Sequence, residues 1–321
     1  MTDNEVFLAY RGPKEPLRFY QADSKSPKRF HFVDFNSQQK IELGMRELEK
    51  APELPTYCKE TQAEIGKAQQ IELLNKCIAD LKKGAGNKVV LSRFQLSPSF
   101  KKPLELVQAL DRQYPDATVY CFAHPETGTW LGASPENLLS LKDGRIEIDS
   151  LAGTRKWEER HTFKDKERRE QEIVSTEIVN ILEQQSGLSA VKREASGIKR
   201  AGNLAHIHTL ISAQLDKWEN LESLLGQLHP TPAVGGQPKA WALKWLQEHE
   251  KYQRRFYCGY FGWSEADSNF AQFWVNLRCA EFVKANTLAL YLGGGITAES
   301  NAQDEWEETL AKAQTILKVL D

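Results

Sequence analysis

Apolar positions along this chain change period several times, and each change marks an element. Over residues 61–83, Ile65, Ala68, Ile71, Leu74, Ile78 and Leu81 recur at helical spacing, and Gly84 and Gly86 end the run. Residues 87–94 (NKVVLSRF) are strand-like by their β-branched content, with Lys88 at the start. A helix is predicted over 103–114. A close series of strands follows over 117–124, 128–133, 137–141 and 145–151, punctuated by Pro125, Pro135 and Asp143-Gly144 and read as an antiparallel meander. Residues 164–185 return to the helical period through Ile173, Val174, Ile178, Ile181 and Leu182. Strand-like segments fill 191–215, and helices are predicted over 220–228 and 238–250 with the rigid HPTPAVGG loop between them. Strands over 256–264, 271–283 and 287–292 then lead into a last helix that opens with acidic residues. Residues 1–55 carry short apolar pieces at 6–10 and 30–35 among Pro, Lys and Ser, which read as edge strands and loops without chemistry.

No repeat, low-complexity tract or linker interrupts this alternation, so a single domain over residues 1–321 is expected, with 40% hydrophobic content ample for its core. A formal net charge of −2 and a pI near 6.4 provide no field for a polyanion, and nucleic acid is not an expected partner. The N-terminus has no signal pattern, and no apolar run reaches the roughly 18 residues of a membrane span. A cytosolic protein with no membrane partner is expected. The five cysteines are odd in number, scattered and without CxxC spacing, so they are read as reduced, mostly buried thiols.

The candidate chemistry concentrates in residues 290–317, LYLGGGITAESNAQDEWEETLAKAQTIL. Glycines 293–295 let a ligand approach the backbone closely, and exposed N–H groups in such a loop hold a carboxylate or phosphate. Glu305 and Glu308 are three apart and share a helical face, with Lys312 four beyond on the same stripe. An acidic helix start is also what the macrodipole favours. A second pair, Glu167 and Glu170, repeats the spacing at the start of the 164–185 helix. Two helices presenting such pairs can converge on one hard divalent cation, which prefers oxygen ligands. His206 and His208 alternate on a strand and share a face, but no third nitrogen or sulfur ligand stands near them for zinc. Arg278, in an otherwise apolar stretch, is costly unless it meets an anion. Lys88 at a strand start and Glu136 after a proline are ordinary solvated residues when read alone.

In order, KVVLSR, SPE, LAGTR, the DKERRE helix start, HIHT, HPTPAVGG, NLRCAE, GGGI and EWEETLAKA resemble the motifs of the chorismate-utilising enzymes: isochorismate, salicylate, anthranilate and aminodeoxychorismate synthases. The resemblance covers residues from about 87 to 317. It implies an α+β fold of two large antiparallel β-sheets packed together with helices on the outside, and a requirement for magnesium (Mg2+). By position it implies Glu170 and Glu308 as principal metal ligands, with Glu167 and Glu305 contributing directly or through water. Arg278 would grip a chorismate carboxylate, helped by Lys312 and by backbone N–H groups around Gly293 and Gly295. Metal and guanidinium together suit a dianion. Gly153 and Thr154 would line the pocket, and His206 would pack near the substrate ring.

Lys88 stands where isochorismate and salicylate synthases place the lysine that activates water for attack at ring carbon 2, whereas ammonia-using members generally carry glutamine. Ala152 stands where aminodeoxychorismate synthases commonly place a nucleophilic lysine. Glu136 would protonate the departing 4-hydroxyl. A base lysine must be neutral, and desolvation in a closed cleft would lower it from a reference pKa near 10.4. The resemblance therefore implies an isochorismate synthase that acts on chorismate with no amidotransferase subunit, as a monomer or weak dimer. Salicylate synthase, which goes on to eliminate pyruvate, is the alternative activity. A non-catalytic chorismate-binding protein is the alternative from another class. The chain departs from the family pattern at Gln171, where histidine is usual, at Lys156-Trp157, where Pro-Arg is usual, and in a shorter N-terminal portion.

Overall fold

Among the described residues, seventeen strands, antiparallel wherever they pair, form two sheets that share one long strand. The computed structural model describes residues 5–60, 63–201 and 204–320, without the side chains of Ala152, Thr154, Lys156, Lys166, Ala201 and Leu204. The first sheet runs β4 (Lys40–Leu48), β2 (Arg18–Ala22), β1 (Phe7–Arg11), β6 (Thr118–His124), β7 (Gly128–Ser134), β16 (Cys279–Lys284), β17 (Thr287–Ile296), β5 (Lys88–Pro98) and β13 (Gly236–Gln237). The second runs β4, β3 (Arg29–Val33), β14 (Tyr260–Glu265), β15 (Phe270–Val275), β8 (Asn137–Lys142), β9 (Arg145–Lys156) and β12 (Leu204–Leu215). β10 (Leu188–Arg193) and β11 (Gly197–Ala201) both pair with β12.

Period-two alternation decides which side chains meet between the sheets. From β6, Tyr120 and Phe122 point inward: Tyr120 packs on Phe261 at 4.2 Å between ring centroids, and Phe122 packs on Phe32 at 5.1 Å. Val119 and Cys121 point outward and are covered by Leu106, Val107 and Leu110 of α2 (Pro103–Gln113) and by Ile316 and Val319 of α6 (Ala302–Leu320). α3 (Asp165–Gln184) lies on β9, β10 and β12. α1 (Lys67–Lys82) and α5 (Lys239–His249) cover β5, and α4 (Asn220–Leu228) packs against α3. The helices agree with the sequence expectation to within a residue or two, except that α1 begins at Lys67 and not at residue 61, and the two-sheet architecture is the expected one.

Four local expectations are corrected. β1 and β3 are interior strands, flanked by β2 and β6 and by β4 and β14, because their apolar faces fill the core rather than a rim. The meander is interrupted: β7 lies in the first sheet and β8 in the second, so the chain crosses between sheets at Pro135-Glu136. The expected strand over 271–283 breaks into β15 and β16, with Arg278 at the break in the left-handed region at φ 50°. Glycines 293–295 are not a loop but the end of β17, opposite Ser92, Leu91 and Val90.

Candidate active site

A cavity of about 160 Å³ opens between the sheets, walled by β5, β9, β12 and β17 and by the first turns of α3 and α6. Glu136, Gly153, Glu167, Glu170, His206, Arg278, Gly293, Gly295, Glu308 and Lys312 all line it. Thr154 lies on β9 beside Gly153, but its side chain is outside the described ones. The tertiary fold thus gathers almost every residue singled out from the sequence.

Glu136 owes its place to the sheet crossing. Its carbonyl accepts from the Val275 N–H at 3.0 Å, and its own N–H is 3.4 Å from Ser134 Oγ, so both strands pin the turn. Only 7% of the residue is exposed. Burial pushes its carboxyl from 4.5 up to about 8, with Lys88 opposing and Asp149 and Glu170 adding to the rise. Glu136 therefore holds its proton at neutral pH.

Lys88 is not the solvated strand-start lysine that position alone indicates: it is 1% exposed. Its Nζ sits 2.7 Å from Glu170 Oε1, joining β5 to α3. Gly295 makes this approach possible, since a Cβ there would fall 2.5 Å from Glu170 Oε1 and 2.6 Å from Lys88 Cε. Lys312 forms the matching pair on α6, 2.6 Å from Glu308 Oε1 and 2.7 Å from the carbonyl oxygen of Gly293. A strand residue directs its N–H and C=O to the same side. Gly293, and with it Gly295, therefore turns its backbone polar groups away from β5 and towards the cleft.

The remaining two glutamates have other partners. Glu167 Oε2 accepts from the Lys164 N–H at 2.9 Å, capping α3, while Oε1 meets Arg155. Glu305 lies off the cleft wall, beneath Gly294, and its Oε1 accepts from Ser300 Oγ at 2.7 Å. Among the described residues, no three His, Cys, Asp or Glu side chains gather closely enough to hold a metal ion as they stand.

Arg278 donates to Thr315 Oγ1 at 3.3 Å and has no carboxylate within ion-pair distance among the described residues. Burial works against its charge, and Tyr257, Glu308 and Tyr114 oppose that effect. His206 donates from Nδ1 to the carbonyl oxygen of Gly153 at 2.9 Å, which makes Nε2 the acceptor nitrogen. Burial, reinforced by Arg278, lowers this imidazole to about 4, so it is neutral at working pH. His208 is turned to a different partner, Asp149 Oδ1, at 2.5 Å.

Tyr257, Cys258 and Tyr291 also line the cleft and were missed in the sequence. Tyr291 had a signal, since it precedes Gly293 by two on one strand and shares its face. Its hydroxyl donates to Glu281 Oε2 at 3.0 Å, and Arg255 neutralises that buried glutamate. Tyr257 lies in a loop and had none. Gln171, the departure from the family pattern, is a buried strut: its Nε2 reaches the carbonyl oxygen of Ser150 at 2.9 Å, Ser150 Oγ at 3.1 Å and Thr209 Oγ1 at 3.0 Å, tying α3 to β9 and β12. Trp157, the other departure, is flanked by the guanidinium carbons of Arg160 and Arg200 at 4.7 and 4.8 Å from its ring.

Known proteins resemble this chain in sequence and in fold. A family model described as chorismate binding enzyme matches residues 20–321. The salicylate biosynthesis isochorismate synthase of Pseudomonas aeruginosa is 30% identical over 283 residues, 84% of this chain and 59% of that protein. The isochorismate synthase DhbC of Bacillus subtilis is 31% identical over 265 residues, 76% of this chain and 65% of that protein. Among solved structures, a DhbC described as a 2,3-dihydroxybenzoate-specific isochorismate synthase from Bacillus anthracis superposes with a TM-score of 0.79 at 25% identity, covering 100% of this chain and 98% of that one. The menaquinone-specific isochorismate synthase MenF of Escherichia coli shares the fold, with a TM-score of 0.84 at 20% identity over 100% of this chain and 90% of that one. The alignments reach 59%, 60% and 56% of the length of the first three curated relatives. The ordered motifs, the two-sheet architecture and a family match spanning nearly the whole chain together show that this protein belongs to the chorismate-binding enzyme family.

Proposed function

We propose that the chain is an isochorismate synthase, adding water to ring carbon 2 of chorismate with loss of the 4-hydroxyl. One observation supports this most: a buried carboxyl that keeps its proton lies in the field of a buried lysine amine, at a cleft where, among the described residues, Arg278 has no carboxylate within ion-pair distance. A dianionic substrate provides that partner, one carboxylate pairing with the Arg278 guanidinium fork. Lys88 takes a proton from water as its oxygen bonds to carbon 2. Both ring double bonds shift in turn, from carbons 1–2 to 1–6 and from carbons 5–6 to 4–5, the carbon 4–oxygen bond breaks, and Glu136 gives its proton to the departing hydroxyl. One water enters and one leaves, so the net change is an isomerisation. Neutral His206 presents an uncharged acceptor to the ring instead of a second cation.

Magnesium fits the donor set by chemistry, because the carboxylates that line the cleft from α3 and α6 are hard oxygen ligands. Glu170 and Glu308 would hold it by exchanging Lys88 and Lys312 for the ion, with Glu167 and Glu305 supporting through water. When bound, the ion would neutralise and orient the second substrate carboxylate. Glu308→Gln is expected to abolish turnover and to remove magnesium binding measured by titration calorimetry, while circular dichroism stays that of the parent. Full activity in that variant, or in excess chelator, rejects the assignment.

Lys88 and Ala152 also bear on which nucleophile is used. With chorismate, magnesium and excess ammonium, the product is expected to be isochorismate, and a mass spectrum dominated by an aminated ring overturns the reading. Salicylate with pyruvate in the same spectrum would instead identify the salicylate synthase reaction.

A further inference from the structure

Asp149 of β9, His208 of β12 and Lys199 of β11 form a charged cluster that the proposed chemistry leaves unused. Asp149 Oδ1 accepts from His208 Nε2 at 2.5 Å, and its Oδ2 meets Lys199 Nζ at 2.8 Å. Strand register places the three on the cleft side. Asp149 shares a face with Leu151, two residues on, which lines the cavity. His208 is opposite Leu151, and Lys199 is opposite the cleft residue His206. Glu136 joins Leu151 on that wall. The charged groups that bear on Glu136 come from every neighbouring element: Lys88 of β5, Glu170 of α3, Asp149 of β9 and Lys199 of β11, with the Cys258 thiol beside them. Among them Lys88 favours the ionised carboxylate most, and Asp149 opposes it more than Glu170 does, with Lys199 weaker than either. Asp149 is therefore the leading negative charge on this wall.

We propose that Asp149, clamped by His208 and Lys199, is a positioning residue that keeps the proton on Glu136 by fixing a negative charge on the face where that carboxyl would ionise. The inference rests on the reading of Glu136 as proton donor. Burial alone raises Asp149, but His208 and Lys199 outweigh it and bring the carboxyl below its usual range. Asp149 therefore remains an anion at pH values where Glu136 does not, and a fixed negative charge facing the same cleft opposes a second one on Glu136. A cluster that merely tied β9, β11 and β12 together would leave the ionisation of Glu136 unmoved.

Carbon-13 NMR of the full chain carrying carboxyl-labelled glutamate reads Glu136 directly, with Glu136→Gln identifying its resonance. Asp149→Asn is expected to lower the Glu136 midpoint by about one pH unit, and Lys199→Met to raise it by a comparable amount, as a single charge does at an effective dielectric near 20. The alkaline limb of the turnover profile should move the same way in each variant. Unmoved midpoints, or shifts of the same sign in both, overturn the proposal. If Asp149→Asn does not fold, Lys199→Met still decides it, since a midpoint that stays or falls is fatal. The titration needs no substrate: opposite shifts in a chain that fails to convert chorismate would uphold the electrostatic role and reject the catalytic reading instead.

Discussion

Glu136→Gln is expected to lower turnover by roughly 10²-fold or more and, at the same time, to stabilise the protein at alkaline pH. The two effects have one cause, a carboxyl that the fold desolvates and keeps protonated up to about pH 8. An acid whose folded pKa lies above its unfolded one binds more protons in the native state between the two values. Its contribution to stability is therefore complete below about 4.5 and is lost as pH rises towards 8. At 1.36 kcal/mol per pH unit the loss is on the order of 5 kcal/mol when ionisation is complete. Glutamine donates no proton and carries no such penalty. Thermal melts should show the variant close to the parent at low pH and several degrees above it at high pH. Lys88→Ala should lose turnover on the same scale but fail differently, because it strips Glu170 of its buried partner and destabilises at neutral pH. Both variants should still bind chorismate through Arg278. The parent's pH profile should be bell-shaped, its alkaline limb set by Glu136. Near-normal turnover in either variant sinks the mechanism, and loss of binding in both means that substrate grips have been mistaken for catalysts.

Arg254→Met should be among the most destabilising single changes in the chain, at about 3–5 kcal/mol. Arg254 holds Glu250 through Nε at 2.7 Å and Nη2 at 2.9 Å, and its remaining donors reach the carbonyl oxygens of Val234 at 2.9 Å and Val90 at 2.5 Å. Glu250 in turn accepts from the Ser92 N–H at 2.8 Å and hydroxyl at 2.6 Å. The pair is buried, so removing the cation strands a carboxylate in the core with its desolvation uncompensated. Because Val90 and Val234 both line the cleft, a loss of activity beyond the loss of folded protein should accompany the fall in stability. Urea titration should show a lowered midpoint at an unchanged slope. A midpoint close to that of the parent would mean that the pair is replaceable and that the HPTPAVGG loop is held by other contacts.

Local rules were enough to read the helices and most strands. The 3.6-residue period located α3, and the same helical geometry placed Glu167 with Glu170, and Glu308 with Lys312, on common faces, because these relations are set within one or two turns. The resemblance then supplied the fold class and nearly all the cleft residues. What it could not supply came from contacts between segments far apart in the chain. β1 and β3 read as edges because their own residues say nothing of β6 and β14, which cover them. Arg278 read as a strand residue because a left-handed kink has no local signature in Leu-Arg-Cys. The glycines read as a loop because only the pairing of β17 with β5 shows that they make room for Lys88 and Glu170. The protonation of Glu136 lay furthest from view. Sequence places it after a proline at a strand boundary, where most glutamates are solvated. Only the crossing of the chain between two sheets, with β9 and α3 closing over it, removes the water that would have let it ionise.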